Sequence, residues 1–345
     1  ALWMVRTGAH GEFENKFLEG NRLYLTWEGL SNDLSTLNEK EELYNLLKEV
    51  YPQFSTGNLS NYTVQILTFA KRIKPGDWVV VPSKQKPVIH FAEVTGTYQH
   101  DSNAEDPYYH WLDVKWIAND LPRSIFAQDL LYSFGAFMTV CAIKRNDAES
   151  RIKAMAASGW KAAALPVTPV GPEADEGDEG ELADLEQFAD DQIAKYIIQR
   201  FKGHGLERLV EAVLQAQGYT TYHSPTGPDK GIDILAAPEA MGFGNPKLCV
   251  QVKSSETPVD LPTLNQLIGS MQNVGAEYGL LVSWGGFKSS IEKEKPAQFF
   301  RVRLWDQQDL IEQIQKHYWD LDEDIRAELP LKQIWTLSYP SSETE

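Results

Sequence analysis

A run of proline, glycine and acidic residues near the middle of the chain most limits how this sequence can fold. It starts as Pro-Val-Thr-Pro-Val-Gly-Pro at residues 166–172 and continues as Glu-Ala-Asp-Glu-Gly-Asp-Glu-Gly-Glu at residues 173–181. Such a segment lacks the apolar side chains that a core requires, and its like charges repel one another. We therefore predict a linker at residues 161–181. The folded domains are expected at residues 1–160 and 182–318, followed by a C-terminal tail at 319–345.

The second domain carries a motif that suits phosphodiester chemistry. A strand is predicted at Gly231–Ala236, with Asp233 near its start, and a second strand at Lys247–Lys253 contains Gln251 and ends in Lys253. Because side chains alternate along a strand, Gln251 and Lys253 point one way and the neighbouring valines point into a core. An aspartate and an amide oxygen can hold Mg²⁺. A lysine can stabilise charge on a phosphate or help to position the attacking water.

Two further segments accompany this motif in a fixed order. Gly203–Val210 (Gly-His-Gly-Leu-Glu-Arg-Leu-Val) precedes it, and Gly279–Phe287 (Gly-Leu-Leu-Val-Ser-Trp-Gly-Gly-Phe) follows it. With Asp233 and the Gln-x-Lys strand, the set resembles the Mrr-like restriction endonucleases of the PD-(D/E)xK superfamily, in which glutamine replaces the second acid. The resemblance implies a nuclease core of the order αβββαβ and Mg²⁺, with Mn²⁺ as a substitute, held by Asp233 and Gln251. The catalytic residues that it implies are Asp233, Gln251, Lys253 and Glu207.

Other polar residues near the motif have alternative explanations that stay open. Asp229 either supports a turn for backbone reasons or takes part in metal or DNA contact. Gln266, on a helix predicted at Leu261–Asn273, is a further candidate for the metal site. His204 and His223 lie close in sequence, but no histidine forms a His-x-x-x-His pair or joins a cysteine cluster, which argues against zinc. No Gly-x-x-x-x-Gly-Lys-Ser/Thr loop occurs, so no ATP site is expected.

The first domain shows alternating strands and helices with proline, glycine and aspartate at the joints. Strands are predicted at Leu2–Arg6, Arg22–Trp27, Asp77–Pro82, Val88–Gly96 and His110–Ile117, and helices at Glu12–Leu18, Glu39–Val50 and Leu59–Ile73. We expect a small mixed β-barrel with helices at one side. The chain as a whole is therefore predicted to be of the mixed α/β (α+β) class.

Several segments of the first domain carry a second resemblance. They are Leu2–Gly8, Trp27, Asn61–Phe69, Lys74–Pro82, Glu93–Tyr98 and Val114–Trp116. Together they resemble the EVE-like members of the PUA-like barrels, which occur fused to Mrr-type nucleases. The resemblance implies a reader domain whose barrel mouth takes a nucleobase turned out of a DNA duplex, often a modified one.

A flipped base needs aromatic faces for stacking and polar groups for its edge. Trp27 ends a predicted strand before Glu-Gly, and Tyr98 follows Thr-Gly, so each either lines the mouth or packs in the core. Asn61 and Gln65, one helical turn apart, either present amides to a base or make helix-to-loop hydrogen bonds. Further candidates for DNA or base contact are Trp3, Arg6 and Ser133.

The net charge of −17 is unusual for a DNA-binding chain. Nucleic-acid binding usually leaves a basic footprint, so we expect low non-specific affinity and an enzyme that must find a particular feature before it cuts. The sequence favours a modification-dependent DNA restriction endonuclease acting on double-stranded DNA with a modified base. A homodimer is expected on the DNA, because two strands need two active sites. A structure-directed repair or recombination nuclease and a non-catalytic nucleic-acid-binding subunit stay open as alternatives.

The sequence shows neither a signal-peptide pattern nor a run of about 18 apolar residues, which predicts a cytoplasmic protein without membrane contact. The chain has two cysteines, Cys141 and Cys249. Both lie in apolar, strand-like runs and are predicted to be buried free thiols.

Overall fold

A computed structural model describes residues 1–37, 39–136, 138–161, 185–225 and 231–335. Contacts divide the chain into two compact units, one up to residue 188 and one from residue 189 to residue 336. The predicted linker, apart from Lys161, lies outside the described residues, as do Asp229 and the last ten residues of the predicted tail. None of the described helices combines the length and the apolar character needed to cross a membrane.

In the first unit, all eight segments predicted from the sequence are present with shifted ends. The strands are β1 Leu2–Val5, β2 Arg22–Tyr24, β3 Trp78–Pro82, β4 Val88–Val94, β5 Gln99–His100, β6 His110–Pro122 and β7 Val140–Ala142. The helices are α1 Glu14–Gly20, α2 Lys40–Val50, α3 Thr56–Leu67, α4 Gln128–Ser133 and α5 Ala148–Ala157. A π-helical segment, Thr68–Arg72, extends α3.

One seven-stranded sheet organises this unit. Its strands follow the order β2-β6-β4-β3-β1-β7, and β5 also pairs with β6. Strand β1 runs parallel to β3 and antiparallel to β7. Because side chains alternate, β3 directs Val79 and Val81 into a core shared with α2 and α3, and Val80 into a second core shared with α4 and α5.

The sheet of the first unit is open, which differs from the predicted small barrel. Among the described strands, no pairing joins β2 or β5 to β7. Helices α2 and α3 pack Leu47 and Ile66 against the same sheet face as Val79 and Val81. These helices occupy the face that would line the interior of a closed barrel, so the strands form a half-barrel.

In the second unit, the described helices are α6 Leu185–Arg200, α7 His204–Ala216, α8 Leu261–Val274, α9 Ser289–Gln298, α10 Gln307–His317 and α11 Glu323–Glu328. The strands are β8 Tyr219–His223, β9 Ile234–Pro238, β10 Leu248–Lys253, β11 Tyr278–Ser283 and β12 Val302–Trp305. From α7 to β11 the order is helix, three strands, helix, strand. The predicted αβββαβ order is confirmed.

The five strands form one sheet in the order β12-β11-β10-β9-β8. Strands β8, β9 and β10 are antiparallel, whereas β10, β11 and β12 are parallel. On β10, Val250 and Val252 face a core built with α6, α7 and α10, and Cys249 faces a second core built with α8 and α9. Both faces of β10 are therefore covered, and a reactive site can open only where the strand ends. Cys249 and Cys141 are buried free thiols, as predicted.

The second unit continues past the boundary predicted at residue 318. Tyr318, Leu321, Ile325 and Leu329 are buried in the core that α7 and α10 also line. The Tyr318 hydroxyl donates to the Leu329 carbonyl at 2.9 Å. The segment up to Leu329 thus belongs to the folded unit, whereas the sequence analysis separated residues 319–345 as a tail. The regular spacing of apolar side chains in this segment could have indicated from the sequence that it is folded.

Candidate active site

Asp233 is held by backbone contacts at the start of β9. Its N–H donates to the Val250 carbonyl at 3.0 Å, and its own carbonyl accepts from the Ser224 N–H at 2.9 Å. Its carboxylate Oδ2 accepts from the Val252 N–H at 2.6 Å. These bonds fix the aspartate between β8 and β10 and place its carboxylate beside the last residues of β10.

Gln251 is the second member of the motif, and its side chain is fully buried, with an exposed fraction of 0%. Among the described residues, neither its Oε1 nor its Nε2 has a hydrogen-bond partner. Buried amides are normally paired, and an unpaired one costs about 1–3 kcal/mol. Gly231 lies directly over this amide, since a Cβ added there would lie 2.8 Å from Gln251 Nε2. Burying this amide without a protein partner therefore lowers the stability of the fold.

Gln251 and Lys253 lie on one face of β10, because they alternate with Val250 and Val252, which face the α7 core. Asp233 precedes the first residue of β9, and its carboxylate is located by its bond from the Val252 N–H. Burial, together with the charge of Asp233, raises the pKa of Cys249 to about 11. Lys253 is half-buried at the end of the strand, opposite Ser283 of β11. The alternation predicted from the sequence is confirmed.

Glu207 lies on α7, which covers the other face of the sheet. Its Oε2 is 3.0 Å from His204 Nδ1 and 3.2 Å from His223 Nε2. Among the described contacts, Glu207 meets these two histidines rather than Asp233 or Gln251. The resemblance implies a supporting role for Glu207, and its described contacts lead toward Asp233 only through His223. His223 ends β8, and the next residue bonds the backbone of Asp233.

His223 is held between two carboxylates that the sequence analysis did not connect with it. Its Nδ1 lies 2.9 Å from Glu211 Oε2, and its Nε2 faces Glu207. Because a carboxylate can only accept, both contacts become hydrogen bonds when each ring nitrogen carries a proton, which is the protonated form of the ring. Burial lowers the pKa of His223, but the carboxylates of Glu211 and Glu207 outweigh it and leave the pKa above its ordinary value. The cluster ties the end of β8 to α7.

The Asp233 and Gln251 pair fits a divalent cation. Carboxylate and amide oxygens are ligands that Mg²⁺ accepts, and the buried Gln251 Oε1 has no protein partner among the described residues. Within the described part of the chain, no three His, Cys, Asp or Glu side chains group as a metal site. The amide oxygen and a backbone carbonyl would have to complete the ligand set with Asp233.

Gln65, predicted as a candidate for reading a base edge, is used inside the first unit. It is fully buried, its Oε1 accepts from the Val140 N–H at 3.0 Å, and its Nε2 donates to Asn61 Oδ1 at 3.2 Å. The amide oxygen therefore joins α3 to β7, and the amide nitrogen makes a bond within α3. Asn61 is exposed, and its carbonyl is occupied by this bond.

Tyr98 holds a loop rather than lining an open mouth. Its hydroxyl accepts from the Leu34 N–H at 3.2 Å and lies 2.7 Å from His110 Nδ1. His110 Nε2 lies 2.6 Å from the Leu30 carbonyl and donates to it, so Nδ1 is the acceptor for Tyr98. Burial lowers the pKa of His110 to about 4, which keeps the ring neutral. The sequence analysis missed His110, because only the tertiary fold brings its partners together.

The remaining candidates of the first unit also have internal contacts. Trp3 Nε1 donates to Asp77 Oδ2 at 2.8 Å. Arg6 donates to the Ala136 carbonyl, and Ser133 donates to the Asp129 carbonyl and accepts from Asn146.

Trp27 lies in the core rather than at an open mouth. It is 6% exposed and meets Tyr62 of α3 edge-on, with ring centroids 5.8 Å apart. Its buried indole N–H has no partner among the described residues. Of the predicted base-contacting residues, Trp27 therefore retains an unused donor.

Comparison with known proteins gives two family matches. Residues 198–314 match the restriction endonuclease family Mrr_cat. Residues 3–139 match a domain of unknown function, DUF8426, which leaves the EVE-like or PUA-like assignment without confirmation. The comparison with curated proteins gives no match.

Two solved structures resemble the chain at low sequence identity. The DNA modification-dependent restriction endonuclease AspBHI is 15% identical, with a TM-score of 0.34 over 79% of this chain and 72% of that one. The MspJI restriction endonuclease in complex with a 27-mer oligonucleotide is 14% identical, with a TM-score of 0.31 over 90% of this chain and 73% of that one. Through residues 198–314, which contain Asp233, Gln251 and Lys253, the second unit carries a restriction endonuclease catalytic domain of the Mrr_cat family.

Proposed function

We propose that the second unit hydrolyses phosphodiester bonds of double-stranded DNA at Asp233, Gln251 and Lys253, with Mg²⁺ as the cofactor and Mn²⁺ as a substitute. The observation that carries this proposal is the fully buried Gln251 amide, which has no described partner and lies on β10 between Val250 and Val252, the two residues of this strand that bond Asp233. A divalent ion bound there would neutralise phosphate charge and lower the pKa of an attacking water.

Each side chain has a distinct task in this proposal. Asp233 and the Gln251 oxygen hold the cation, and Lys253 at the strand end stabilises charge on the phosphate or positions the water. Glu207 supports Asp233 from the opposite face, by fixing His223 at the end of β8. Glutamine in place of an acid leaves one fewer negative charge on the cation. Its affinity should be modest, and it should bind best together with the DNA phosphate.

The nuclease proposal is tested with Asp233→Ala and Lys253→Ala in the full chain. Each substitution should abolish cleavage while leaving DNA binding nearly unchanged, because neither side chain is needed for the fold's cores. Lys247→Ala is the matched control, since Lys247 is exposed just before the opposite end of the same strand. Cleavage that persists in both active-site variants would refute the assignment.

We further propose that the first unit recognises a flipped base, such as a modified cytosine, which would make the chain a modification-dependent restriction endonuclease that cuts as a homodimer. The resemblance to EVE-like readers supports this. The test is binding of full-length Asp233→Ala protein to duplexes that differ only in cytosine or adenine modification. Equal binding to all of them would refute the reader role. A preference for nicks or branches would instead indicate a structure-directed nuclease.

A further inference from the structure

A second glutamine lies close to Gln251 at the candidate active site. Gln266 lies on α8, between the buried residues Leu264 and Leu267. A Cβ added to Gly231 would lie 2.5 Å from Gln266 Nε2 and 2.8 Å from Gln251 Nε2. The two side-chain amides therefore come together over one glycine, and that glycine lies two residues before Asp233.

Gly231 allows this close approach for two separate reasons. Its φ of +77° lies in the left-handed region, which side chains rarely adopt, and the space beside its Cα is filled by the two amides. Any other residue would place a carbon where the amides now lie. The backbone leading to Asp233 thus passes directly over the Gln251 and Gln266 pair.

The core of the second unit fixes the helix that carries Gln266. Leu264 and Leu267 of α8 are buried against Cys249, which lies on the same face of β10 as Gln251. Gln266 itself is exposed. The packing of α8 therefore sets how close the Gln266 amide comes to Gln251.

We propose that Gln266 is a positioning residue that orients the Gln251 amide for the cation. This inference rests on the proposed metal-dependent function. In the active arrangement, Gln266 Oε1 accepts from Gln251 Nε2, which leaves Gln251 Oε1 for the cation. The terminal torsion of a glutamine is soft, so a half-turn of the Gln266 amide puts its oxygen where its nitrogen now lies.

The physical basis is the asymmetry of an amide. Its oxygen can bind a cation and its NH₂ group cannot, so a freely turning Gln251 would present the wrong atom part of the time. A carboxylate at the same position has two equivalent oxygens and needs no such orientation. The effect of Gln266 should therefore exist only while residue 251 is an amide.

The experiment is a double-mutant cycle read by Mn²⁺ binding to the full chain, followed by electron paramagnetic resonance. Gln266→Ala should weaken Mn²⁺ binding about 10–100-fold, the range expected for residues that hold a metal ligand in place. In the Gln251→Glu background, the same substitution should change binding by less than about 2-fold. Asn265→Ala, at the neighbouring exposed position of α8, is the matched control and should bind Mn²⁺ as the wild type does.

A second variant tests the contact without removing either amide. Gly231→Ala should weaken Mn²⁺ binding, because the added methyl group separates Gln251 from Gln266. Gly275→Ala is its control, since Gly275 has a φ of +66° and open space where a Cβ would be. Both substitutions introduce the same kind of backbone strain, but only Gly231 lies near Asp233. A loss that acts through the two amides should therefore disappear when Gly231→Ala is made in Gln266→Ala protein, whereas a loss that acts through Asp233 should persist there.

The outcomes separate this inference from the proposed function. Wild-type protein that binds Mn²⁺ and cuts DNA, together with unchanged Mn²⁺ binding in Gln266→Ala, overturns the positioning role alone. An equal loss in the Gln251 and Gln251→Glu backgrounds also overturns it, because Gln266 would then act on the cation directly. Wild-type protein that neither binds Mn²⁺ nor cuts DNA overturns both proposals.

Discussion

Two fully buried glutamines, one in each unit, show how differently the two parts of this chain treat a polar group. Gln65 and Gln251 both have an exposed fraction of 0%. The amide of Gln65 is engaged at both ends, by the Val140 N–H and by Asn61. The amide of Gln251 has no partner at either end among the described residues. Residue type and burial are the same, so the difference lies in what the surroundings supply.

The comparison indicates where function is carried. A buried amide that the protein satisfies stabilises the fold, whereas one left unsatisfied costs stability unless a partner from outside completes it. Gln251 lies beside the Asp233 carboxylate and Lys253, which are groups that suit a cation and a phosphate. The presence or absence of a hydrogen-bond partner within the protein therefore distinguishes the structural amide of Gln65 from the functional amide of Gln251.

The largest expected effect is the loss of cleavage in Gln251→Met. Methionine keeps the unbranched shape of glutamine but cannot offer an amide oxygen to a hard cation. DNA cleavage should fall by about 100-fold or more, because a bound cation supplies several kcal/mol of transition-state stabilisation. Cleavage rates of wild type, Gln251→Met and Gln65→Met at fixed Mg²⁺ measure this. Equal loss in both variants would show that the two amides do not differ in function.

The next effect concerns stability and has opposite signs at the two positions. Gln65→Met removes the acceptor of a buried Val140 N–H and should lower the free energy of unfolding by about 1–3 kcal/mol. Gln251→Met removes an amide that has no protein partner and should leave the free energy of unfolding unchanged or higher. Urea unfolding of the three proteins without divalent cations checks both signs. A similar destabilisation at both positions would contradict the comparison.

Much of the catalytic arrangement could be predicted from the sequence because it depends on local periodicity. The order from α7 to β11 follows from apolar spacing, and the alternation along β10 places Gln251 and Lys253 on one face. The strand pattern also drew attention to Asp233, and the resemblance to Mrr-like nucleases then implied its catalytic role. These inferences need only neighbours in sequence and the two-residue period of a strand.

What the sequence could not give depends on partners that are distant in the chain. The buried Gln65 amide oxygen accepts from the N–H of Val140, which is 75 residues away in the sequence. Glu207 meets His223 because α7 covers the face of the sheet opposite Gln251. The open form of the first sheet depends on the packing of α2 and α3 against it. Side-chain periodicity predicts that a residue is buried on one face, but not which element covers that face.

A moderate effect is expected from Trp27→Phe, which removes the unused indole donor of the first unit and keeps an aromatic ring against Tyr62. Trp27 is buried, so a base can accept from this donor only if the core beside Tyr62 opens on binding. If that happens, discrimination between modified and unmodified duplexes should fall by about tenfold, the equivalent of one hydrogen bond. Binding of both duplexes to Asp233→Ala protein, with and without Trp27→Phe, measures the ratio.

Tyr98→Phe is the matched control for the Trp27 variant. The Tyr98 hydroxyl is already engaged with Leu34 and His110, so its loss should reduce stability without changing the discrimination between duplexes. Loss of discrimination in Tyr98→Phe but not in Trp27→Phe would reverse the assignment of structural and functional groups in this unit.

The smallest expected effect is a pH dependence of stability from His223, which ends β8 beside the candidate active site. Burial lowers its pKa, but pairing with Glu211 and Glu207 outweighs burial and raises the pKa above the ordinary value of 6.5. A group whose pKa is raised on folding stabilises the protein fully below its unfolded pKa, and that stabilisation is lost as pH rises through the folded pKa. Because His223 is partly exposed, the loss should be under about 1 kcal/mol.

Urea unfolding at pH 6 and pH 9 measures this loss. The free energy of unfolding should decrease more between these pH values for the wild type than for His223→Gln, and Glu211→Gln should also reduce the decrease. The same decrease in all three proteins would mean that the carboxylates of α7 do not raise the pKa of His223. The proposed support of Asp233 by Glu207 through His223 would then lose its physical basis.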